Sequence, residues 1–457
     1  MDISREMTGD NRNLRGGGRS GGAPGLRRPT SEKGKPSATP DVRGGARPRN
    51  FVGREVDVYH ADEGRDAMRS DLLAQINTDD LLHNYHALKS CCRPGVKLCA
   101  PLKADAYGHS MAMVAPVLYE AGADMAAVAT LFEAVELRDL GWDRPILVLG
   151  NVLGVADAAE RGERLGVIED HRLSITIADG AVVEYLSRQR LSAPIDVHVK
   201  VDTGMGRMGV LAEDAAGVVR DILRTPQLRL TGVYSHFATA DFEEVSVAER
   251  QVGVFRRFLD EVGAALPPGV IRHLANSAAT IALPDAHLDM VRPGLALYGY
   301  YPSRHMRGQV DLRPILRVVT HLTAVKELPK GHGVGYGRTF VTNRPTRLGI
   351  IPAGYSDGFP RMLSNNMIVG TEWGDAPVVG RVSMDQLALD LTELSGVGVG
   401  DEVVLLDNDN DRPNGVDEVA RRLGTISYEV TCLLGRRIDR LRVGKSCAGY
   451  RPLAARS

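Results

Sequence analysis

The sequence predicts an α/β protein: a (β/α)8 TIM-like barrel followed by a mostly β C-terminal domain. Three observations carry this. Short apolar runs alternate with helical patterns about eight times between residues 98 and 297, the signature of a parallel sheet wound with helices. Polar residues gather at the C-terminal ends of those runs, where a barrel keeps its chemistry. Beyond Leu312 the alternation stops, and strand-like runs follow one another with frequent Gly and Pro and no long helices between them. A doubly wound open sheet is the alternative, but no Gly-x-Gly-x-x-Gly opens a helix after the first run.

A chain of 457 residues suits one large domain and a smaller one. Hydrophobic residues at 43% and charged residues at 25% fit a soluble globular chain, and a net charge of -1 predicts neither nucleic acid nor an anionic membrane as partner. No apolar run approaches the ~18 residues a membrane span needs. The N-terminus lacks the apolar core of a signal peptide. Cys91, Cys92, Cys99, Cys432 and Cys447 are odd in number and match no zinc spacing, so no metal is expected and a reducing cytoplasmic setting fits best. Residues 1–65, rich in Gly, Arg and Pro, are expected to be a disordered tail.

After the tail, residues 72–76 read as a short strand, and Thr78 as the cap of a helix running to about Ser90, with Asp79 and Asp80 at the positive end of its dipole. The barrel strands follow at 98–102, 125–129, 146–149, 173–177, 195–201, 230–235, 271–275 and 290–297, with helices such as 132–140 and 181–188 between them. The barrel is thus expected over 66–311 and the second domain over 312–457. That domain has strands at 315–326, 347–352, 376–382 and 402–406 and one helix at 417–423.

The strand ends hold the candidate chemistry. The first strand ends on Lys103. In the fifth, Asp196, His198 and Lys200 share one face, and a polar face inside a barrel is costly unless it pairs or works. The sixth runs out at His236, the seventh at Asn276-Ser277, and the eighth opens near Arg292-Pro-Gly294. Singly, such a lysine is usually a solvated charge and such a histidine a satisfied core residue. Jointly they mark one site.

Lys103-Ala-Asp-Ala-Tyr-Gly-His109 resembles the pyridoxal phosphate (PLP) lysine motif of the alanine racemase family. Lys200-Val-Asp-Thr-Gly-Met-Gly-Arg207, His236-Phe-Ala-Thr-Ala-Asp241, Asn276-Ser-Ala-Ala279, Arg292-Pro-Gly294, Val334-Gly-Tyr-Gly337, Gly354-Tyr-Ser-Asp-Gly358, Gly380-Arg-Val-Ser-Met-Asp385 and Ser427-Tyr-Glu-Val430 follow in the family's order. Two departures stand out: Ser110 where glycine is usual, and Met208 where leucine is common. Neither supplies a reacting group.

The resemblance implies a PLP enzyme that interconverts L- and D-alanine with two bases, supplying D-alanine for peptidoglycan. Lys103 would form the Schiff base with PLP and exchange the α-proton on one face. Its amine must be free, which burial and neighbouring cations promote. Tyr336 would be the opposite base, helped by His236 and delivered from the other subunit of a homodimer. Arg292 would face the pyridine nitrogen; being always protonated, it leaves the ring a weaker electron sink. Tyr107, Ser277, Tyr428 and the backbone of Gly294 and Leu295 would hold the phosphate, with Asn276 beside them. Arg207 would meet the substrate carboxylate, and Tyr355 and Met384 would line a narrow substrate pocket. Lys200 would carry a carbamate that orients Arg207. The alternatives are a broad or serine-preferring racemase of the same architecture, a PLP decarboxylase, and a non-catalytic PLP-binding protein. Tyr428 argues for alanine, and the domain carrying Tyr336 argues against a non-catalytic role.

Overall fold

A computed structural model describes residues 70–444; the expected disordered tail and Cys447 lie outside them. Its first strand, β1 (Leu73–Asn77), is followed by nine more: β2 (Lys97–Pro101), β3 (Met125–Val128), β4 (Ile146–Val148), β5 (Ser174–Ile177), β6 (Ile195–Asp202), β7 (Val210–Leu211), β8 (Leu228–Tyr234), β9 (Ile271–His273) and β10 (Met290–Val291). Eight of these pair in parallel in the order β5-β4-β3-β2-β10-β9-β8-β6, and β5 pairs with β6. The sheet is therefore a closed barrel, not the open doubly wound alternative. The two-residue β7 adds to β6 outside the ring.

Parallel strands covered on both faces must be apolar throughout. All four residues of β3 are buried, as are those of β4 and β5. Alternate residues serve two layers. Cys99, Met125, Ala127, Leu147 and Met290 pack together as one cluster, while Leu98, Ala100, Ala126, Val128, Ile146 and Val148 join the larger core with the helices.

The C-terminal domain contributes β11 (Leu316–His321), β12 (Ala324–Leu328), β13 (Gly333–Val334), β14 (Phe340–Val341), β15 (Thr346–Ile351), β16 (Ile368–Thr371), β17 (Gly374–Pro377), β18 (Leu387–Asp390), β19 (Glu402–Leu406) and β20 (Asp439–Val443). They form a six-stranded sheet in the order β17-β16-β19-β11-β1-β20, a three-stranded sheet β12-β15-β18 and the β13–β14 hairpin. The sequence reading grouped β1 with the barrel, and this needs correction. Leu73–Ile76 run antiparallel to Leu316–Val319, and Leu73–Asn77 run parallel to Asp439–Val443. A strand's own residues do not name its partner, because strand preference is largely context.

Two smaller expectations also shift. Asn77, not Thr78, caps the first helix: its Oδ1 accepts from the amides of Asp79 (3.1 Å) and Asp80 (3.2 Å). The C-terminal domain has a second helix, Ser427–Cys432, beyond the expected one, which spans Val416–Leu423.

Candidate active site

Lys103 opens an unusual turn. Ala104, Asp105, Ala106 and Tyr107 have φ of 53, 51, 55 and 57°, so the chain makes one left-handed turn before Gly108. For L-residues this conformation costs roughly 1–2 kcal/mol each, so local contacts must hold it. The Ala104 amide donates to Glu133 Oε1 at 2.7 Å, and the Met111 amide donates to Asp105 Oδ1 at 2.6 Å. Glu133 is itself fixed, since its Oε2 accepts from Ala129 (2.7 Å) and Thr130 (3.0 Å) in a capping box. His109 stacks on Tyr298 with ring centres 4.5 Å apart. Gly108 is required twice over: φ is +83°, and a Cβ would meet the Thr431 carbonyl carbon at 2.9 Å.

The turn delivers Lys103 into a cavity of about 510 Å³ at the strand ends. Tyr107, Lys200, Arg207, His236, Asn276, Ser277, Arg292, Gly294 and Tyr428 line the same cavity, so ten residues singled out from sequence meet there. Leu295 does not line it; with Tyr428 it borders a neighbouring cleft. Asn276 is committed to the fold as well, its Oδ1 capping the helix Ser277–Ala282 through the Ala279 amide at 3.0 Å. Ser277 does not cap; its Oγ accepts from the Ala296 amide at 3.2 Å.

Four cations line the cavity: Lys103, Lys200, Arg207 and Arg292. Among the described residues none of them forms an ion pair with a carboxylate. Burial first, and Arg207 next, lower the Lys103 pKa. The same two causes bring Lys200 down to about 8. His236 is pushed down to about 3 by burial and then by Arg292, so it is neutral. Its Nδ1 faces Arg292 Nη2 at 3.5 Å and can only accept there, leaving the proton on Nε2.

Behind Arg292 lies a chain the sequence reading did not assign. Arg292 is buried and donates through Nη1 to His273 Nδ1 at 2.6 Å and through Nη2 to the Ser235 carbonyl at 2.8 Å. Arginine cannot accept, so His273 carries its proton on Nε2 and donates to His198 Nδ1 at 2.9 Å. Burial and Arg292 keep both imidazoles neutral. Room for His198 comes from Gly232, where a Cβ would fall 2.8 Å from the imidazole Cγ and closer still to Nδ1, and the β6–β8 register shifts between Val197 and His198. The polar face noted on the fifth barrel strand thus divides. Asp196 pairs with Arg229 outside, His198 joins the chain and Lys200 reaches the cavity.

Three expected site residues stand elsewhere in the chain. Tyr336 is 72% exposed, Met384 53% and Tyr355 42%. Tyr336 and Met384 border a separate cavity of about 520 Å³ in the C-terminal domain. Burial pushes the thiol of Cys92 up to about 11 and that of Cys99 up to about 12, so both stay protonated.

Cations without a carboxylate partner, three phenols and a seryl hydroxyl around one cavity suit a ligand with phosphate and other anionic oxygens, and a lysine amine whose pKa is lowered suits an aldehyde. PLP fits this set of donors. Barrel and site together define the class of PLP-dependent amino-acid racemases.

The comparisons agree. Residues 76–302 match the model of the alanine racemase N-terminal domain, and residues 315–442 that of its C-terminal domain. The chain is 39% identical over 373 residues to alanine racemase 2 of Caldanaerobacter subterraneus subsp. tengcongensis, covering 80% of this chain and 93% of the relative. It is 40% identical to the Desulfovibrio desulfuricans alanine racemase, covering 81% and 97%. The alanine racemase of Bacillus anthracis, solved with bound L-Ala-P, superposes with a TM-score of 0.75 at 32% identity, covering 82% of this chain and 96% of that one. The chain belongs to the alanine racemase family, and PLP is its cofactor.

Proposed function

We propose that the chain interconverts L- and D-alanine in the cytoplasm, supplying D-alanine for peptidoglycan, as a homodimer in which each C-terminal domain completes the partner's barrel site. The observation that carries the shared site is the separation of the two bases within one chain. Lys103 lines the barrel cavity, while Tyr336 is largely exposed beside another. A phenol so exposed can flank a substrate only if a second chain brings a barrel to it.

PLP, when bound, supplies the electron sink that acidifies the substrate α-carbon. The remaining roles fall to the chain. Lys103, with its pKa lowered, holds or removes the α-proton on one face, and Tyr336 of the second subunit does so on the other. His236, protonated on Nε2 only, is the hydrogen-bond partner for that phenol. Arg292 would face the ring nitrogen of the cofactor, and as a donor only it would accept no proton from it. Tyr107, Ser277, Tyr428 and the Gly294 amide would hold the phosphate beside Asn276, Arg207 would take the carboxylate, and Tyr355 and Met384 would bound the side chain. Lys200 carries a carbamate: an amine whose pKa falls to about 8 is partly free at neutral pH, as reaction with CO2 requires, and the resulting anion would pair with Arg207.

The test is complementation between inactive subunits. Lys103→Ala and Tyr336→Phe homodimers are each expected to be inactive. Mixed and re-equilibrated, half the dimers are heterodimers with one intact site, so activity should return to about a quarter of the parent's. No recovery, with heterodimers verified, would refute the shared site. A panel of L-amino acids with deuterium uptake at the α-carbon tests alanine against serine as preferred substrate.

A further inference from the structure

The two loops that carry Tyr355 and Met384 are fastened together by a side chain from a third segment. Tyr355 and Ser356 donate their amides to the carbonyls of Ser383 (3.0 Å) and Met384 (3.2 Å), and Ser356 Oγ donates to the Met384 carbonyl at 2.7 Å. The backbones touch so closely that a Cβ on Gly354 would collide with Met384. Next to this contact lies Asp357, 1% exposed, whose Oδ2 accepts from the Gly354 amide at 2.9 Å. Its Oδ1 accepts from Arg437 Nε at 2.9 Å, with Nη2 2.8 Å away. The same guanidinium donates through Nη1 to Asp385 Oδ1 at 2.8 Å and through Nη2 to Ser356 Oγ. Arg437 itself stands just before β20, on a segment anchored by the Gly435 amide donating to the Asp357 carbonyl at 3.0 Å.

The arrangement is more than a surface ion pair, which would contribute little. One planar fork spans two carboxylates and a hydroxyl on two different loops, in the multidentate geometry arginine provides and lysine does not. Each of its three partners is a direct neighbour of Tyr355 or Met384, or two residues away. Freed from the fork, the loops would still be joined by their amides, but Asp357 would hold a buried carboxylate with one oxygen unsatisfied, and the Asp385 end could swing out.

We propose that Arg437 is a positioning residue for the substrate pocket: it locks the loops bearing Tyr355 and Met384 into a single rigid wall, and that rigidity sets the preference for a small amino-acid side chain. The inference rests on the reading that these two residues border the substrate.

The test compares kcat/KM for alanine and for serine in the PLP-loaded, full-length enzyme, because their ratio does not depend on the fraction of active protein. Arg437→Gln is expected to lower the alanine-over-serine ratio by about three- to tenfold, part of the range that one small pocket contact commands. Its alanine KM should rise while kcat stays within about twofold. Arg437→Lys, which can reach one carboxylate, should give an intermediate ratio. Both variants should keep the parent's PLP content and dimer mass. Met384→Ala serves as the control on the underlying reading. A ratio unchanged in both Arg437 variants but shifted by Met384→Ala would overturn the role of Arg437 and leave the pocket assignment standing. A ratio unmoved by Met384→Ala as well would overturn the pocket assignment and the proposal with it. Loss of the PLP-bound dimer in both Arg437 variants would make the residue a folding element and likewise overturn the proposal.

Discussion

Gly232→Ala tests whether the histidine chain behind Arg292 is as tightly built as its geometry implies. The added methyl would stand 2.8 Å from His198 Cγ and nearer to Nδ1, so the imidazole must withdraw by roughly 1 Å to reach ordinary contact. The 2.9 Å bond from His273 to His198 does not survive such a shift. His198 Nε2 already lacks a partner, so both of its ring nitrogens would then be buried and unpaired. Forced overpacking costs about 1–3 kcal/mol and a newly unsatisfied buried group about 1–3 kcal/mol. The variant should therefore lose roughly 2–6 kcal/mol. Because His273 would lose its acceptor, Arg292 would be held less firmly and kcat should fall as well. The assay is denaturant unfolding at saturating PLP, run as a double-mutant cycle with His198→Ala. With the imidazole gone, the alanine at 232 has room and its cost should shrink to about 0.5 kcal/mol or less. Equal costs of Gly232→Ala in the two backgrounds would refute the clash as the reason for glycine.

Three further outcomes are expected. Ser110→Gly should stabilise the protein by about 1 kcal/mol: φ at Ser110 is 69° and its buried Oγ has no partner, and relief of both outweighs the extra freedom glycine gives the unfolded chain. A lower unfolding midpoint would count against that account of a serine at a position where the family usually has glycine. Arg207→Met should raise the Lys103 pKa, because Arg207 is the largest charge lowering it, so PLP loading of the apoenzyme, followed by absorbance, should need a higher pH; an unmoved profile would show that burial alone sets the amine. Lys200, lowered to about 8 in the fold, binds fewer protons there than in the unfolded chain between pH 8 and its ordinary 10.5, so its contribution to stability rises with pH across that window. The neutral amine should also gain the mass of one CO2 in bicarbonate-equilibrated enzyme, and native mass spectrometry showing only the bare lysine would remove the carbamate.

How far the sequence could be read depends on the range of the interaction. Strand-end reasoning needs only local alternation, and it located Lys103, Lys200, His236 and Arg292 at one mouth of the barrel. The turn at Ala104–Tyr107 was not legible, since alanine favours right-handed helix and the left-handed form is held by Glu133 from outside and by the bond between Asp105 and the Met111 amide. A signal for Glu133 did exist in the Thr130-x-x-Glu133 capping pattern. His273 read as one residue of a strand, and only the folded register shows it between Arg292 and His198. In the proposed homodimer the position of Tyr336 relative to Lys103 would be set by a second chain, and neither propensity nor pattern speaks to that.

The placement of β1 bears on how this protein must be made. Five residues near the start of the described segment close a gap between β11 and β20, and their parallel neighbour is the last strand of that segment. During synthesis that segment leaves the ribosome early and waits for nearly everything else before it can dock, a contact of long sequence separation and correspondingly slow formation. Cutting the gene at the apparent junction near Leu312 would give a barrel fragment with a stray strand and a C-terminal fragment whose sheet has lost its middle. The two halves look separable in the order of their elements, yet the C-terminal sheet cannot be completed without a strand that precedes the whole barrel.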